Sequence, residues 1–145
     1  LVLQRAKETG AINDSVIRQD IARLHILAQS ARWTAQRARA AQKAGKPQGP
    51  EGSLGKLAAS HIGRLASRVH TDISANEALL TGPDSAMEGV IAEVLVSTPA
   101  GSIAGGTDEI QRNIIAERVL GLPKEPRFDT GPFRDVPHNS SPKDQ

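Results

Sequence analysis

The sequence predicts an all-α protein, an antiparallel four-helix bundle followed by an irregular C-terminal tail. Apolar residues recur at gaps of three and four along several segments, which is the spacing of one helix face. Glycine and proline separate these segments, and no useful stretch alternates polar and apolar residues as a half-buried strand does. The apolar residues are mainly small and aliphatic, with two Phe, one Trp and no Tyr, which suits helices packed on helices.

The first long helix is predicted over residues 13–44. Residues 1–9 contain helix formers and end at Gly10, so we interpret them as the end of an earlier element. Asn13 and Asp14 are N-cap candidates, because a short polar side chain can accept a hydrogen bond from a free helix amide. The apolar face of this helix is predicted to consist of Val16, Ile17, Ile21, Leu24, Ala28, Ala31 and Ala35.

A second long helix is predicted over residues 51–80, after a turn rich in glycine and proline. Its apolar face consists of Leu57, Ala58, Ile62, Leu65, Ala66, Val69 and Ile73. Shorter helices are predicted over 85–96 and 107–120, the first with a buried face of Val90, Ile91, Val94 and Leu95. These helices form one bundle domain over residues 1–126, incomplete at its N-terminal end. Residues 127–145 are rich in proline, charge and small polar residues, which predicts an irregular or disordered tail.

The composition excludes several classes of protein and site. No cysteine is present, which rules out disulfides and thiolate metal sites and fits a reducing compartment, so we expect a cytoplasmic protein. No apolar run approaches the roughly 20 residues needed to cross a bilayer. Leu1 is not a natural start, so we expect the true N-terminus to lie upstream. The histidines are not spaced as ligands on one helix, and we predict no metal site at His25, His61, His70 or His138.

The densest basic segment lies at residues 31–46, in a chain whose net charge is only +2. It could be a surface for nucleic acid or the solvated face of a helix. Aromatic residues that could stack on bases are nearly absent, and acidic residues balance the charge of the whole chain. We therefore favour the solvated face and predict no nucleic-acid partner.

The segment with the most specific content is GGTDEIQRNIIAERVLGL at residues 105–122. Gly105 and Gly106 precede Thr107 at the predicted start of the last helix. The first amide groups of a helix are unpaired and favour negative charge nearby, and glycine lets a ligand approach the backbone closely. The pattern is therefore either an anion or phosphate site, or only a tight loop with Thr107 as its cap.

The stretch GGTDEIQRNIIAERVLGLPKEP at 105–126 resembles the C-terminal signature of the acyl-CoA dehydrogenase family. AKETGAINDSVIRQDIARL at 6–24 and GPEGSLGKLAASHIGRLA at 50–66 are similar to that family's two long C-terminal helices. The resemblance covers about residues 5–126. It implies the C-terminal four-helix bundle of an enzyme that uses FAD to take two hydrogens from the α and β carbons of an acyl-CoA thioester, in a homo- or hetero-oligomer.

The resemblance also implies roles for single residues. Thr107 and Glu109 would contact FAD, and Gly105 and Gly106 would line the flavin and thioester region. The turn around Gly82 corresponds to a segment that reaches the FAD of a neighbouring subunit, although the glutamine usual before that turn is not matched. Gly105 occupies the position at which many relatives carry the catalytic glutamate, and glycine cannot accept a proton. The chain therefore has no catalytic residue in this motif.

Three functions are consistent with the sequence. The first is the C-terminal domain of an FAD-dependent acyl-CoA dehydrogenase, which completes the flavin pocket and the subunit interface, with the base on an earlier helix outside this sequence. The second is a base-less structural subunit of a hetero-oligomeric dehydrogenase. The third is a helical interaction module without a ligand. In each case we expect this chain alone to be inactive and to bind FAD weakly or not at all.

Overall fold

The computed structural model describes residues 1–47, 49–83, 85–124 and 131–136, which form five α-helices and no β-strand. The helices are α1 (Val2–Glu8), α2 (Ser15–Lys43), α3 (Glu51–Ser74), α4 (Val90–Ser97) and α5 (Asp108–Arg118). Short 3-10 turns lie at Ala11–Asn13, Ala75–Leu79, Ala86–Gly89, Thr98–Ser102 and Phe133–Asp135. The all-α prediction is confirmed. No helix among the described residues is long and apolar enough to cross a membrane.

The two long helices α2 and α3 form an antiparallel hairpin. Asp14 caps α2, since its Oδ1 accepts hydrogen bonds from the amides of Val16 at 2.7 Å and Ile17 at 3.4 Å. After α2, Gly45 adopts a left-handed φ of +74°, and the chain turns back. Asp20 of α2 pairs with Arg68 of α3 at 2.8 Å, which joins the start of one helix to the end of the other. The prediction for the first helix is accurate to within two residues at each end.

Helix α3 is the central element, because it contacts α1, α2, α4 and α5. The core lies at one end of the hairpin, where Ala6 of α1 packs with Val69 and Ile73 of α3. Partly buried apolar residues surround this cluster: Val2, Ala11, Ile12, Ile17, Ile21 and Leu65. The apolar face predicted for the second helix is thus the face that is packed.

The second long helix ends earlier than predicted. The α-helix stops at Ser74, because Ala75 adopts φ +48° and ψ −128°, which no helix can continue. A 3-10 turn then covers Ala75–Leu79, and Ala78 in this turn is fully buried. Apolar spacing continues through this break, and no glycine or proline marks it, so the prediction to residue 80 was wrong.

The helix predicted over 85–96 begins later than its pattern suggested. Met87 and Glu88 have positive φ values of 52° and 56°, and α4 proper starts after Gly89 at φ +84°. A Cβ at Gly89 would lie 3.2 Å from the backbone nitrogen of Gly82, so two segments of backbone approach closely at this glycine. The last helix is shorter than the predicted 107–120 by one residue at its start and two at its end.

Many large apolar side chains remain exposed. Val16 of the first predicted apolar face is 66% exposed, and Ala28 and Ala35 of that face are also exposed. Val90 and Val94 are exposed as well, so their assignment to the buried face of the third predicted helix was wrong. The other exposed large apolar residues include Ile26, Leu27, Trp33, Leu79, Leu80, Val96, Ile103, Ile110, Val119, Leu120 and Leu122. Most of the predicted tail, at 127–130 and 137–145, lies outside the described residues.

Candidate functional site

The two glycines form a turn that leads directly into α5. Gly105 has φ +68° and Gly106 has φ +92°, values that favour glycine over residues with a side chain. A Cβ at Gly106 would lie 2.9 Å from Nε2 of Gln111, whereas a Cβ at Gly105 would have no neighbour within 4 Å. The turn therefore closes against α5 at Gly106 and opens to free space at Gly105.

Thr107 is the N-cap of α5. Its Oγ1 accepts a hydrogen bond from the amide of Ile110 at 3.3 Å, while its own hydroxyl proton is not used in a bond to another described residue. Within the described parts of the chain, the amides of Gly105, Gly106 and Thr107 also make no hydrogen bond. The start of α5 thus combines a capping threonine with free amide donors, so the two interpretations of this motif are compatible.

Glu109 lies in the first turn of α5 with its side chain 76% exposed. Its only described ion pair is a long one, 3.5 Å from Arg112 one turn further along the helix. Such an exposed pair contributes little to stability. The carboxylate is therefore free to reorient towards a ligand.

Asp108 is the buried residue of the site, with only 3% of its surface exposed. Its carboxylate accepts hydrogen bonds from Lys56 Nζ at 3.2 Å, Ser60 Oγ at 2.9 Å and Arg64 Nη1 at 3.0 Å. Burial by itself raises the pKa of Asp108, but the hydrogen bonds from Ser60, Lys56 and Arg64 outweigh it and lower the pKa to about 2. Asp108 is therefore ionised at neutral pH.

A polar network joins this carboxylate to the segment before the glycines. Ser102 Oγ lies 2.8 Å from Ser60 Oγ and accepts a hydrogen bond from Arg64. Because the Ser60 hydroxyl donates to Asp108, Ser102 is the donor in its bond to Ser60. Gln111, which is also buried, donates from Nε2 to the carbonyl of Gly105 at 3.2 Å.

Sequence reasoning missed this supporting network. It assigned Gly105, Gly106, Thr107 and Glu109 to the site, and the structure places all four in one turn at the start of α5. It gave no role to the buried residues Ser60, Asp108 and Gln111 or to their partly exposed partners Lys56, Arg64 and Ser102. The signal that could have indicated them is the four-residue spacing of the three α3 side chains, which puts them on one face of a helix.

A groove of about 410 Å³ lies between α3 and the segment that leads to the glycines. Lys56 and Ser60 line it on one side and Thr98 and Ala104 on the other. Two clefts of about 460 and 740 Å³ lie instead at the tip of the hairpin, where small side chains of α2 face the start of α3. These larger clefts are lined by none of the residues predicted for the site.

His25, His61 and His70, the histidines among the described residues, belong to no group of possible metal ligands. Throughout the residues the structure covers, no three His, Asp or Glu side chains converge as a metal site would require. Burial and the positive charge of the chain's N-terminus lower the pKa of His70. His138 lies outside the described residues.

A family model and two curated relatives that match this chain agree on its family. A family model described as acyl-CoA dehydrogenase, C-terminal domain, matches residues 1–120. The acyl-CoA dehydrogenase IpdE1 of Mycobacterium tuberculosis is 32% identical over 130 residues, which cover 86% of this chain and 31% of that protein. The chain thus spans about a third of the length of the curated relatives it matches.

Two solved structures share the fold. The structure described as the Tcur3481-Tcur3483 steroid ACAD superposes with a TM-score of 0.74 at 20% identity, over 86% of this chain and 33% of that one. The ChsE4-ChsE5 complex from Mycobacterium tuberculosis superposes with a TM-score of 0.70 at 20% identity, over 86% of this chain and 36% of that one. At this level of identity, both similarities establish the fold alone.

Proposed function

The chain belongs to the acyl-CoA dehydrogenase family, and from that premise we propose that it is the C-terminal domain of an FAD-dependent enzyme. The enzyme would remove two hydrogens from the α and β carbons of an acyl-CoA thioester. This domain would complete the flavin pocket and contribute to the subunit interface. The observation that carries the proposal is the glycine turn at the start of α5, in which three amides make no hydrogen bond to the described residues and Gly105 borders open space.

The residues of the turn fit a flavin nucleotide. Amide N–H groups at a helix start, together with the helix dipole, favour the carbonyl or phosphate oxygens of such a ligand. Thr107 can cap α5 and still donate its hydroxyl proton. Glu109 would repel a phosphate, so its contact would be with N–H or O–H groups. When bound, FAD would supply the acceptor of the hydride that leaves the β carbon.

The α proton of the substrate must be removed by a group outside this motif. Gly105 has no side chain, and Asp108 is a poor base because three donors hold its carboxylate and lower its pKa to about 2. Asp108 also faces α3 and not the open side of the turn. What the turn itself can do is bind and orient the flavin and donate hydrogen bonds.

A second candidate is a base-less subunit that assembles with a catalytic partner. Gly105 favours it, since the position of the usual glutamate is vacant. One of the solved structures with this fold is the complex of ChsE4 with ChsE5, which supports this candidate. The exposed apolar side chains of α2, α4 and α5 would suit either a homo-oligomer or a hetero-oligomer. A helical module without a ligand is the third candidate.

The flavin absorbance of the purified full-length protein separates these functions. We expect bound FAD, and reduction of that flavin when an acyl-CoA thioester is added. A protein that binds FAD but reduces it only after a partner subunit is added would be the base-less candidate. If the protein contains no flavin even after reconstitution with FAD, the first two functions are excluded and the helical interaction module is the remaining candidate.

The isolated chain should bind FAD weakly, because this domain leaves most of a large cofactor in water. A fluorescence titration of the 145-residue chain measures this directly. A dissociation constant below about 1 μM would mean that the domain holds FAD without the rest of the enzyme.

A further inference from the structure

We propose that Asp108 is a positioning residue that fixes the glycine turn in the geometry needed for flavin binding, an inference that rests on the proposed function. All the hydrogen bonds described for the Asp108 side chain come from α3. Asp108 would act through the backbone, by holding the first residue of α5 against α3.

The polar network attaches both ends of the turn to α3. Ser102 precedes the glycines and bonds to Ser60 and Arg64. Asp108 follows the glycines and bonds to the same two side chains. The residues between these two attachments, 103–107, include all three of the free amides. Their position is therefore set by a single short stretch of α3.

The negative charge of the Asp108 carboxylate allows Lys56 and Arg64 to lie together at the start of α5. Lys56 binds its Oδ1 and Arg64 binds its Oδ2, so one buried anion brings two cations together. Without the negative charge, these two cations would face each other beside a neutral group, and the start of α5 would move away from α3. Gln111 would transmit that movement, because it links α5 to the carbonyl of Gly105.

The alternative is that Asp108 only stabilises the fold, and Asp20 provides the matched control. Asp20 is also buried, 7% exposed, and also pairs with two cations, Arg23 at 3.1 Å and Arg68 at 2.8 Å. It joins α2 to α3, and its described hydrogen bond and ion pairs involve only Arg23 and Arg68. Loss of its charge should lower stability without displacing the glycine turn.

The test compares Asp108→Asn with Asp20→Asn in the full-length protein. The dissociation constant for FAD is measured by titrating the apoprotein, and the melting temperature is measured for each apoprotein. In metal sites, residues that hold the ligating side chains in place typically contribute about 10- to 100-fold to affinity, and we take the lower end of that range as the expectation for Asp108. We expect Asp108→Asn to weaken FAD binding by at least about tenfold and to shift the flavin absorbance bands. Asp20→Asn should lower the melting temperature to a similar extent and leave both flavin readouts unchanged.

Three results would overturn the proposal. Unchanged FAD affinity in Asp108→Asn would show that the turn does not depend on this carboxylate, while the proposed function would stand. Equal losses of affinity in the two variants would show a purely structural role. A wild-type protein that binds no FAD would overturn the proposed function together with this inference.

Arg64→Gln covers the case in which Asp108→Asn does not fold. The Arg64 side chain is 43% exposed, so its replacement does not leave a cavity in the core, yet it removes one bond to Asp108 and one to Ser102. We expect a smaller loss of FAD affinity. We also expect amide hydrogen exchange that is faster than in the wild type at the hydrogen-bonded amides of Ile103, Ala104 and Ile110, which flank the free amides. Wild-type affinity and exchange in this variant would contradict the proposal.

Discussion

Gly106→Ala should destabilise the folded chain more than Gly105→Ala, although the two glycines are neighbours in one turn. Both have positive φ, so an added side chain strains the backbone at either position. The difference lies in their surroundings. A Cβ at Gly106 would lie 2.9 Å from Nε2 of Gln111, and a Cβ at Gly105 would meet nothing within 4 Å.

The magnitude follows from two contributions. An alanine in the left-handed region costs about 1–2 kcal/mol, and this applies to both variants. At Gly106 the amide of Gln111 must also turn away, which removes its hydrogen bond to the Gly105 carbonyl and costs about 1–2 kcal/mol more. We therefore expect a loss of about 1–2 kcal/mol for Gly105→Ala and about 2–4 kcal/mol for Gly106→Ala.

Urea unfolding followed by far-UV circular dichroism measures both losses. In a Gln111→Ala background the extra cost of Gly106→Ala should disappear, because the group that the new Cβ would meet is gone. Equal costs for the two single variants in the wild-type background would refute the contact between Gly106 and Gln111.

Four further outcomes are expected. Leu65→Asp should lower the free energy of unfolding by about 2–4 kcal/mol, because a charge would enter the core, whereas Val16→Asp at an exposed position should change it by less than about 0.5 kcal/mol. Thr107→Ala in the full-length protein should reduce flavin content, and a wild-type flavin spectrum would remove Thr107 from the site. Because the pKa of Asp108 falls from 3.8 to about 2 on folding, its contribution to stability is complete above about pH 5 and is lost as the pH falls towards 2. Asp108→Asn should therefore flatten the dependence of melting temperature on pH in that range. Light scattering should show self-association of the chain with or without tail residues 127–145, and a monomer at high micromolar concentration would contradict this.

The helix starts and ends that could be predicted are those with a local chemical signal. Asp14 caps α2 and Thr107 caps α5, each through a hydrogen bond to an amide two or three residues further on. The break at Ala75 and the left-handed pair at Met87 and Glu88 have no such signal. Apolar spacing carries no information about such local changes of φ and ψ, so the helices predicted from it extended through these residues.

The residues of the candidate site also divide into those with a local signal in the sequence and those without one. Gly105, Gly106, Thr107 and Glu109 were assigned to the site because they stand together in one contiguous motif, and their contact with FAD stays a prediction. Asp108 was missed because its partners on α3 are 44 to 52 residues away. The sequence shows that an aspartate opens the helix, which any helix dipole favours. Only the packing of α5 on α3 shows that the carboxylate is buried.

The 44 to 52 residues between Asp108 and its partners also affect the order in which these contacts can form during synthesis. Helices α2 and α3 are joined by a short turn, so they can pair as soon as both have left the ribosome. The anion that Lys56 and Arg64 bind is synthesised later, after α4 and the segment before the glycines. Lys56 and Arg64 therefore precede the carboxylate that they bind by 44 residues or more, and the attachment of the glycine turn to α3 through Asp108 can form only after α5 has been synthesised.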